Sequence, residues 1–372
     1  MSATSPSTTP QAGNTPMLRV DISRRLLAFG RPLLPVLAAS VTFRVIQMSL
    51  GIALFAIGAW GVGTVVTDGP TRAVGGVVAV MVGLAFVKAL VRYLLQFTGH
   101  YVAFKLLAML RNDFYRKVEP QAPAGLAATH TGELLARVMK DIDRIEVFYA
   151  HTIAPSLAAV IVPVLALTAM GVGFDPLLAI RLVPFLVGVG LLVPVWSNRA
   201  AADAATDLRL ARGRLSQHLT DGIQGIREVL AFGYGQRRVA ELRDLGRQAT
   251  DAHARMSRMM AVRRGLNELL VGAGIAAVLL VGANRVQSGV LSWVDLTVVL
   301  AIALVSFGPV LGVEEFIAAL EQAFAGARRL WEVTDRPPTV TEAALSRKRP
   351  GTSNGRSRST TSSSPIPRRC RT

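Results

Sequence analysis

Six ionisable residues stand within or at the edge of long apolar runs: Arg44, Lys88, Arg92, Glu268, Glu314 and Glu315. A charge held in lipid costs about 2.5–3.5 kcal/mol by insertion measurements, so such a residue either lines a polar pathway or reaches the headgroups on a flexible stem. Both readings stay open for each, because helices that continue into water carry residues at this depth. The chemistry on offer is the holding and passing of a solute, and the mixed signs leave that solute's charge unset. No Gly-x-x-x-x-Gly-Lys-[Ser/Thr] phosphate loop occurs, and none of the five lysines follows a glycine. No residue is therefore assigned a catalytic or metal-ligating role, and no cofactor is expected on this chain.

The composition says what kind of element positions those charges. The chain has 372 residues, is 51% hydrophobic with a mean hydropathy of +0.42, and only 17% of it is charged. A soluble domain this apolar would lack polar cover, whereas a helical bundle facing lipid needs little. The formal net charge of +17 is then a topology signal, and no nucleic-acid partner is expected. A single cysteine, Cys370, excludes a disulfide framework.

The stretch from Thr131 to Gly171 shows the design most plainly. It opens polar and helix-forming, then loses its charges from Thr152 to Gly173, with Pro155 and Pro163 inside the apolar part. One helix that starts in water and ends in lipid is predicted. At 1.5 Å per residue it would be roughly 55–60 Å long, nearly twice the ~30 Å hydrocarbon core.

The rest of the chain repeats this plan. Residues 1–19 are expected to be a disordered amino terminus without the apolar core of a cleavable signal, hence cytoplasmic. Val20 to Phe29 reads as an interfacial helix, with Arg24 and Arg25 opposite Ile22, Leu26, Leu27 and Phe29. Spans follow at about Leu33 to Val66 and Ala73 to Leu95, the second continuing as a helix to Glu119. Span four runs from Leu177 to Trp196 and on past Arg209, and a break falls between Asp221 and Gly235. Span five is polar from Arg237 to Arg264 and apolar from Leu266 to Val281, and span six continues from Val294 as a helix to Trp331. Near the short outer turns stand only Arg72, Arg181 and Arg285, beside Asp68, Asp175 and Asp295; nearly all other basic residues fall in the inner stretches. That distribution puts both termini in the cytoplasm. The expected fold class is an all-α membrane protein: six long transmembrane helices extending into the cytoplasm, two intracellular loops, an amino-terminal interfacial helix and a disordered carboxy-terminal tail.

Three blocks carry a family resemblance. Thr131-Gly-Glu-Leu-Leu-Ala-Arg-Val-Met-Lys-Asp141-Ile-Asp-Arg-Ile-Glu146 precedes span three, Leu219-Thr-Asp-Gly-Ile-Gln-Gly-Ile-Arg-Glu-Val-Leu-Ala-Phe232-Gly separates spans four and five, and Ala325-Gly-Ala-Arg-Arg-Leu-Trp-Glu-Val-Thr-Asp-Arg-Pro-Pro-Thr-Val340 ends span six. In this order and spacing they resemble the transmembrane half of an ABC exporter, over residues 20 to 342. The resemblance implies a six-helix domain over 20–335, a linker over 336–345, and short coupling helices near Gln121 to His130 and Arg227 to Gln236 that meet an ATPase domain. The coupling residues it implies are Gln121, Leu126, His130, Gly132, Glu133, Arg137 and Asp141 in the first loop and Arg227, Glu228, Leu230 and Phe232 in the second. Phe232 and Leu230, apolar at a polar turn, would be docking knobs or would pack the inner turn. Gly235 stands where the family often has an acid after the aromatic.

The family's Leu-Ser-Gly-Gly signature is absent. ATP and Mg2+ would therefore act through ATPase domains in trans or in the intact gene product. Ser346 to Thr372 is basic and acid-free, and is expected to be disordered. Read one nucleotide back, Ser359-Thr-Thr-Ser-Ser-Ser-Pro-Ile-Pro367 is compatible with Phe-Asp-Asp-Val-Leu-Phe-Thr-Tyr-Pro, which resembles the first strand of an ABC ATPase domain. The tail is thus expected to be out-of-frame translation, and the gene's nucleotide sequence decides it.

The function expected is the permease half of an ATP-driven exporter in the cytoplasmic membrane, moving a small molecule, lipid or peptide. Its partners would be membrane lipid, a second transmembrane half in a homodimer or heterodimer, and an ATPase domain. The alternative is a non-transporting interaction partner or an inactive remnant. A secondary transporter fits less well, since internal repeats and short broken helices are not seen. Ala154-Pro155 and the Ile-Val-Pro-Val run resemble the heterodimeric thiol exporters linked to cytochrome assembly, a layout that drug, lipid and peptide exporters share.

Overall fold

The computed structural model describes residues 19–69, 73–121 and 131–336, and every regular element among them is a helix. In chain order these are α1 Arg19–Phe29, α2 Leu34–Asp68, α3 Ala73–Val118, α4 Thr131–Phe148, α5 Ala154–Gly173, α6 Pro176–Val187, α7 Val193–Gln224, α8 Ile226–Ala231, α9 Gly235–Gln287, α10 Trp293–Leu311 and α11 Val313–Thr334. Six helical stretches are long and apolar enough to cross a membrane: Arg31–Asp68, Val74–Gln121, Ala154–Gly173, Pro176–Gln224, Gly235–Gln287 and Trp293–Leu311. The all-α membrane architecture expected from the sequence is the one observed. The expected out-of-frame tail, with most of the linker, lies outside the described residues.

The longest helix, α9, has 53 residues and is about 80 Å long at 1.5 Å per residue, far more than a ~30 Å apolar layer requires. Its polar half, like those of α3 and α7, stands beyond the end we call inner, where the charged extensions lie. At the outer end, short turns join the spans. Asp175 caps α6 by accepting from the Leu177 amide at 2.8 Å, and Ser292 and Asp295 form a reciprocal capping box at the start of α10. Arg285 stands near Asp295 in sequence, but its ion pair is with the buried Asp175, across two outer turns. Asp295 is already committed to its own helix end.

Two departures from simple helices follow from proline chemistry. The third span is continuous from Thr131 to Gly173, as expected, but Tyr149–Ile153 is wound as a π-helix, and Gly188–Leu192 repeats this in span four. Each wide turn ends within two residues of a proline, Pro155 or Pro194. A proline gives no N–H and presses its ring on the carbonyl four residues back, which the wide turn relieves. Span six was expected to run unbroken to Trp331. It breaks instead at Gly312, between α10 and α11. Pro309 removes one helical bond just before the least helix-favouring non-proline residue, and the helix is interrupted there for one residue.

Apolar side chains collect in two cores. The outer one joins Met170 of α5, Leu178, Leu182 and Leu186 of α6, Val278 of α9, and Val299, Ile302 and Phe307 of α10. The inner one joins Ile22 and Leu26 of α1, Val102, Leu106, Leu110 and Phe114 of α3, Val138, Ile142 and Ile145 of α4, and Ala323, Ala327 and Leu330 of α11. In α1, α3, α4, α6 and α11 spacings of three and four place each set on one helix face. α1 thus lays one face on the inner core, while Arg24 and Leu27 on its other face stay exposed.

Candidate functional site

At the inner end, α4 and α11 approach so closely that a Cβ added to Gly326 would lie 3.0 Å from the Asp141 carbonyl oxygen. That proximity places Asp141, 2% exposed, within reach of two arginines. Arg329 donates to both carboxylate oxygens, Nε to Oδ2 at 2.8 Å and Nη2 to Oδ1 at 2.6 Å, and Arg144 donates to Oδ1 at 2.9 Å. The planar fork of Arg329 matches the carboxylate, and this bond holds the Arg329 guanidinium above its ordinary pKa. Asp141, which the resemblance sets among the first-loop coupling residues, is the charged pin between spans three and six.

The far end of α11 is held in the same way. Arg25 of α1 donates to both oxygens of Asp335 at 2.6 Å and stacks on Trp331, 4.5 Å from the ring centre. The hydrogen bond from Arg25 holds the Asp335 carboxyl below the usual carboxylate range. Gln121, 2% exposed, donates Nε2 toward the carbonyls of Lys117 at 3.0 Å, Val333 at 3.2 Å and Arg336 at 3.4 Å. From the π-helical turn the Tyr149 hydroxyl donates to the Leu26 carbonyl of α1, and burial raises its pKa. α1, α3, α4 and α11 are therefore one clamped body at the end of span six. Of the other first-loop candidates, Gly132 and Arg137 are exposed on α4, Leu126 and His130 lie outside the described residues, and so does the side chain of Glu133.

The second loop is built differently. α7 and the polar half of α9 pack mainly on each other and form an inner hairpin tipped by α8. α7 stops at Gly225 and α8 ends in a turn at Gly233, where φ is +69°, the left-handed region that glycine enters without strain. At that tip Arg227 and Glu228 are exposed, and so are two large apolar side chains, Leu230 at 72% and Phe232 at 75%. Of the two roles open from sequence, packing the inner turn within this chain is not what they do. The coupling helix expected at Arg227 to Gln236 is shorter, since Gln236 already belongs to α9.

Within the spans, the basic candidates gather and Glu268 does not join them. Arg44 is half-buried on α2, and Lys88 and Arg92 stand one turn apart on α3, the helix that packs along it. Glu268 is exposed on α9, and the side chains of Glu314 and Glu315 lie outside the described residues. No group of three metal-ligating side chains occurs among the described residues.

Comparison with known proteins points one way. A model of the ABC transporter transmembrane region matches residues 37–310. A probable ABC transporter ATP-binding/permease protein of Haemophilus influenzae is 25% identical over 315 residues, 85% of this chain and 57% of the relative. The glutathione/L-cysteine transport system ATP-binding/permease protein CydC of Escherichia coli is 32% identical over 267 residues, 70% of this chain and 45% of the relative. An ATP-dependent lipid A-core flippase of Syntrophus aciditrophicus is 23% identical over 333 residues, 87% of this chain and 54% of the relative. The chain spans about half the length of the curated relatives it matches.

Proposed function

Because this multi-pass membrane chain belongs to the ABC transporter transmembrane-region family, we propose that it is the permease half of an ATP-driven exporter of the cytoplasmic membrane. It pairs with a second transmembrane half and is driven by ATPase domains outside residues 1–372, which hold ATP and Mg2+. The observation that carries this reading is the hairpin tip, where Leu230 and Phe232 stand exposed at the end of helices tens of ångströms long. Two bare apolar groups on a charged arm are what a docking contact needs, and a stiff arm turns a small displacement at its tip into reorientation of the spans. Arg227 and Glu228 flank the contact and set its register.

The matching relatives are named for glutathione or L-cysteine and for lipid A-core, which supports a cargo that is a small molecule, lipid or peptide. ATP-dependent uptake into inverted vesicles tests the reading, measured with and without a co-expressed ATPase-bearing homologue. Uptake that needs both this chain and ATP supports it. A chain that co-purifies with the homologue yet adds no transport would instead be a non-transporting partner.

A further inference from the structure

The cations inside the spans form part of a track. On α3, Lys88, Arg92, Gln96 and His100 recur every four residues, and on α2, Ser40, Arg44, Gln47 and Gly51 recur at four, three and four. Each set lies along one helix face, and the two helices pack side by side. Two openings connect the sets. One, about 190 Å³, is bounded by Gln47, Gly51 and Lys88 with Val162, Val305 and Pro309 from spans three and six. The other, nearer the inner end, is bounded by Ser40, Arg44, Gln96 and His100 with Pro155.

Charge is unbalanced along this track. Between Leu34 and Thr67, between Ala73 and Asn112, over the whole of α5, and from Leu296 to Leu311, there is no aspartate or glutamate. The Lys88 ammonium lies beside the Gly51 backbone, where an added Cβ would meet it at 3.2 Å. The buried Arg44 Nε has no hydrogen-bond partner among the described residues. Lys88 is 14 residues past Val74, about 21 Å below the outer end of its helix, so it belongs to the inner half of a ~30 Å apolar layer. A cation held there with no ion pair among the described residues is stabilised when something entering the site brings negative charge.

We propose that the α2–α3 track is a binding site for carboxylate or phosphate groups of the cargo, with Lys88 and Arg44 as its two anchors, Gln47 as a neutral donor between them and Gln96 as one beside Arg44. This rests on the permease reading and narrows its cargo to anionic molecules entering from the inner leaflet or the inner solution. The opening is small beside a whole cargo molecule, so it takes the charged group while the remainder lies between the halves.

The test uses the full chain in a neutral detergent, without nucleotide or partner, and has two arms. Native mass spectrometry counts bound phosphatidylglycerol against uncharged diacylglycerol, and equilibrium dialysis measures labelled glutarate and inorganic phosphate against labelled, uncharged glutaramide. The expected result is saturable binding in at least one arm, weakened tenfold or more by Lys88→Met and by Arg44→Gln. Lys88→Arg should largely retain it, and Arg209→Gln on exposed α7 should leave it unchanged. Binding in the first arm alone identifies a lipid headgroup, and binding in the second identifies a soluble anion. Preference for neither anion over its uncharged control, or equal binding by all variants with native helical content, overturns the proposal. Either failure leaves vesicle uptake standing as a separate result, and loss of uptake with anion binding intact would refute only the permease reading.

Discussion

Replacing Arg329 by methionine keeps the apolar stem and removes the guanidinium that pins α11 to α4. Two charge-assisted bonds to Asp141 are lost. Such bonds contribute ~1.5–3 kcal/mol each when well shielded. The Arg329 side chain is 39% exposed, and solvent screening brings the pair nearer ~2 kcal/mol in all. Asp141 keeps only Arg144 in a pocket where it is almost wholly buried, which raises the expected cost of Arg329→Met to about 2–3 kcal/mol. Asp141→Asn removes the negative charge and one of the two acceptor oxygens, at about 2 kcal/mol, and the double variant should cost little more than either alone. The coupling energy is then about 1.5–2 kcal/mol. It can be read from unfolding in mixed anionic and neutral micelles, followed by fluorescence of Trp331, which lies in the inner core, after Trp60, Trp196 and Trp293 are replaced by phenylalanine. Additive losses, with a coupling below ~0.5 kcal/mol, would refute the account of Asp141 as the pin between spans three and six.

Two glycine substitutions should have opposite signs in the same assay. Gly326→Ala forces a Cβ onto the Asp141 carbonyl and should destabilise by about 1–3 kcal/mol, whereas Gly213→Ala, in α7 with open space around it, should stabilise by up to about 1 kcal/mol. Asp335→Asn should be pH-dependent: a carboxyl whose folded pKa is depressed by Arg25 contributes stability above its unfolded value and loses it as pH falls through the folded one. With both partners more than a third exposed, the offset between wild type and variant should be at most ~1 kcal/mol above about pH 5 and should vanish well below pH ~4. Phe232→Ser should change stability by less than ~0.5 kcal/mol, yet lower ATP-dependent vesicle uptake at least tenfold; unchanged uptake would remove the docking role from the hairpin tip.

The spans and their inner extensions were legible because hydropathy and charge are summed over twenty or more residues, and no local detail overturns such a sum. The hairpin tip was legible for a related reason, since Leu230 and Phe232 interrupt a polar stretch. What escaped were features set by single bonds between distant segments. The recipient of Arg285 is Asp175, 110 positions away, rather than the nearer Asp295. The resemblance placed Asp141 and Gln121 among the coupling residues, but nothing in the sequence showed that both are buried and hold the end of span six. The π-helical turns carry a visible signal in Pro155 and Pro194, but Pro163 and Pro184 stand within ordinary α-helix, so proline alone does not locate a wide turn. The break at Gly312 could have been anticipated from Pro309 followed three residues later by glycine.

The bond between Arg25 and Asp335 joins positions 310 residues apart, and this orders events during synthesis. At about 5–20 residues per second, the ribosome takes roughly 15–60 s to make the second partner after the first. For most of that interval α11 does not exist, and Ile22 and Leu26 cannot find their final neighbours there. The bilayer surface is the natural waiting place for a short helix with one greasy and one basic side. The amino-terminal helix is then first to emerge and last to settle, and its docking marks a nascent chain whose sixth span has been delivered.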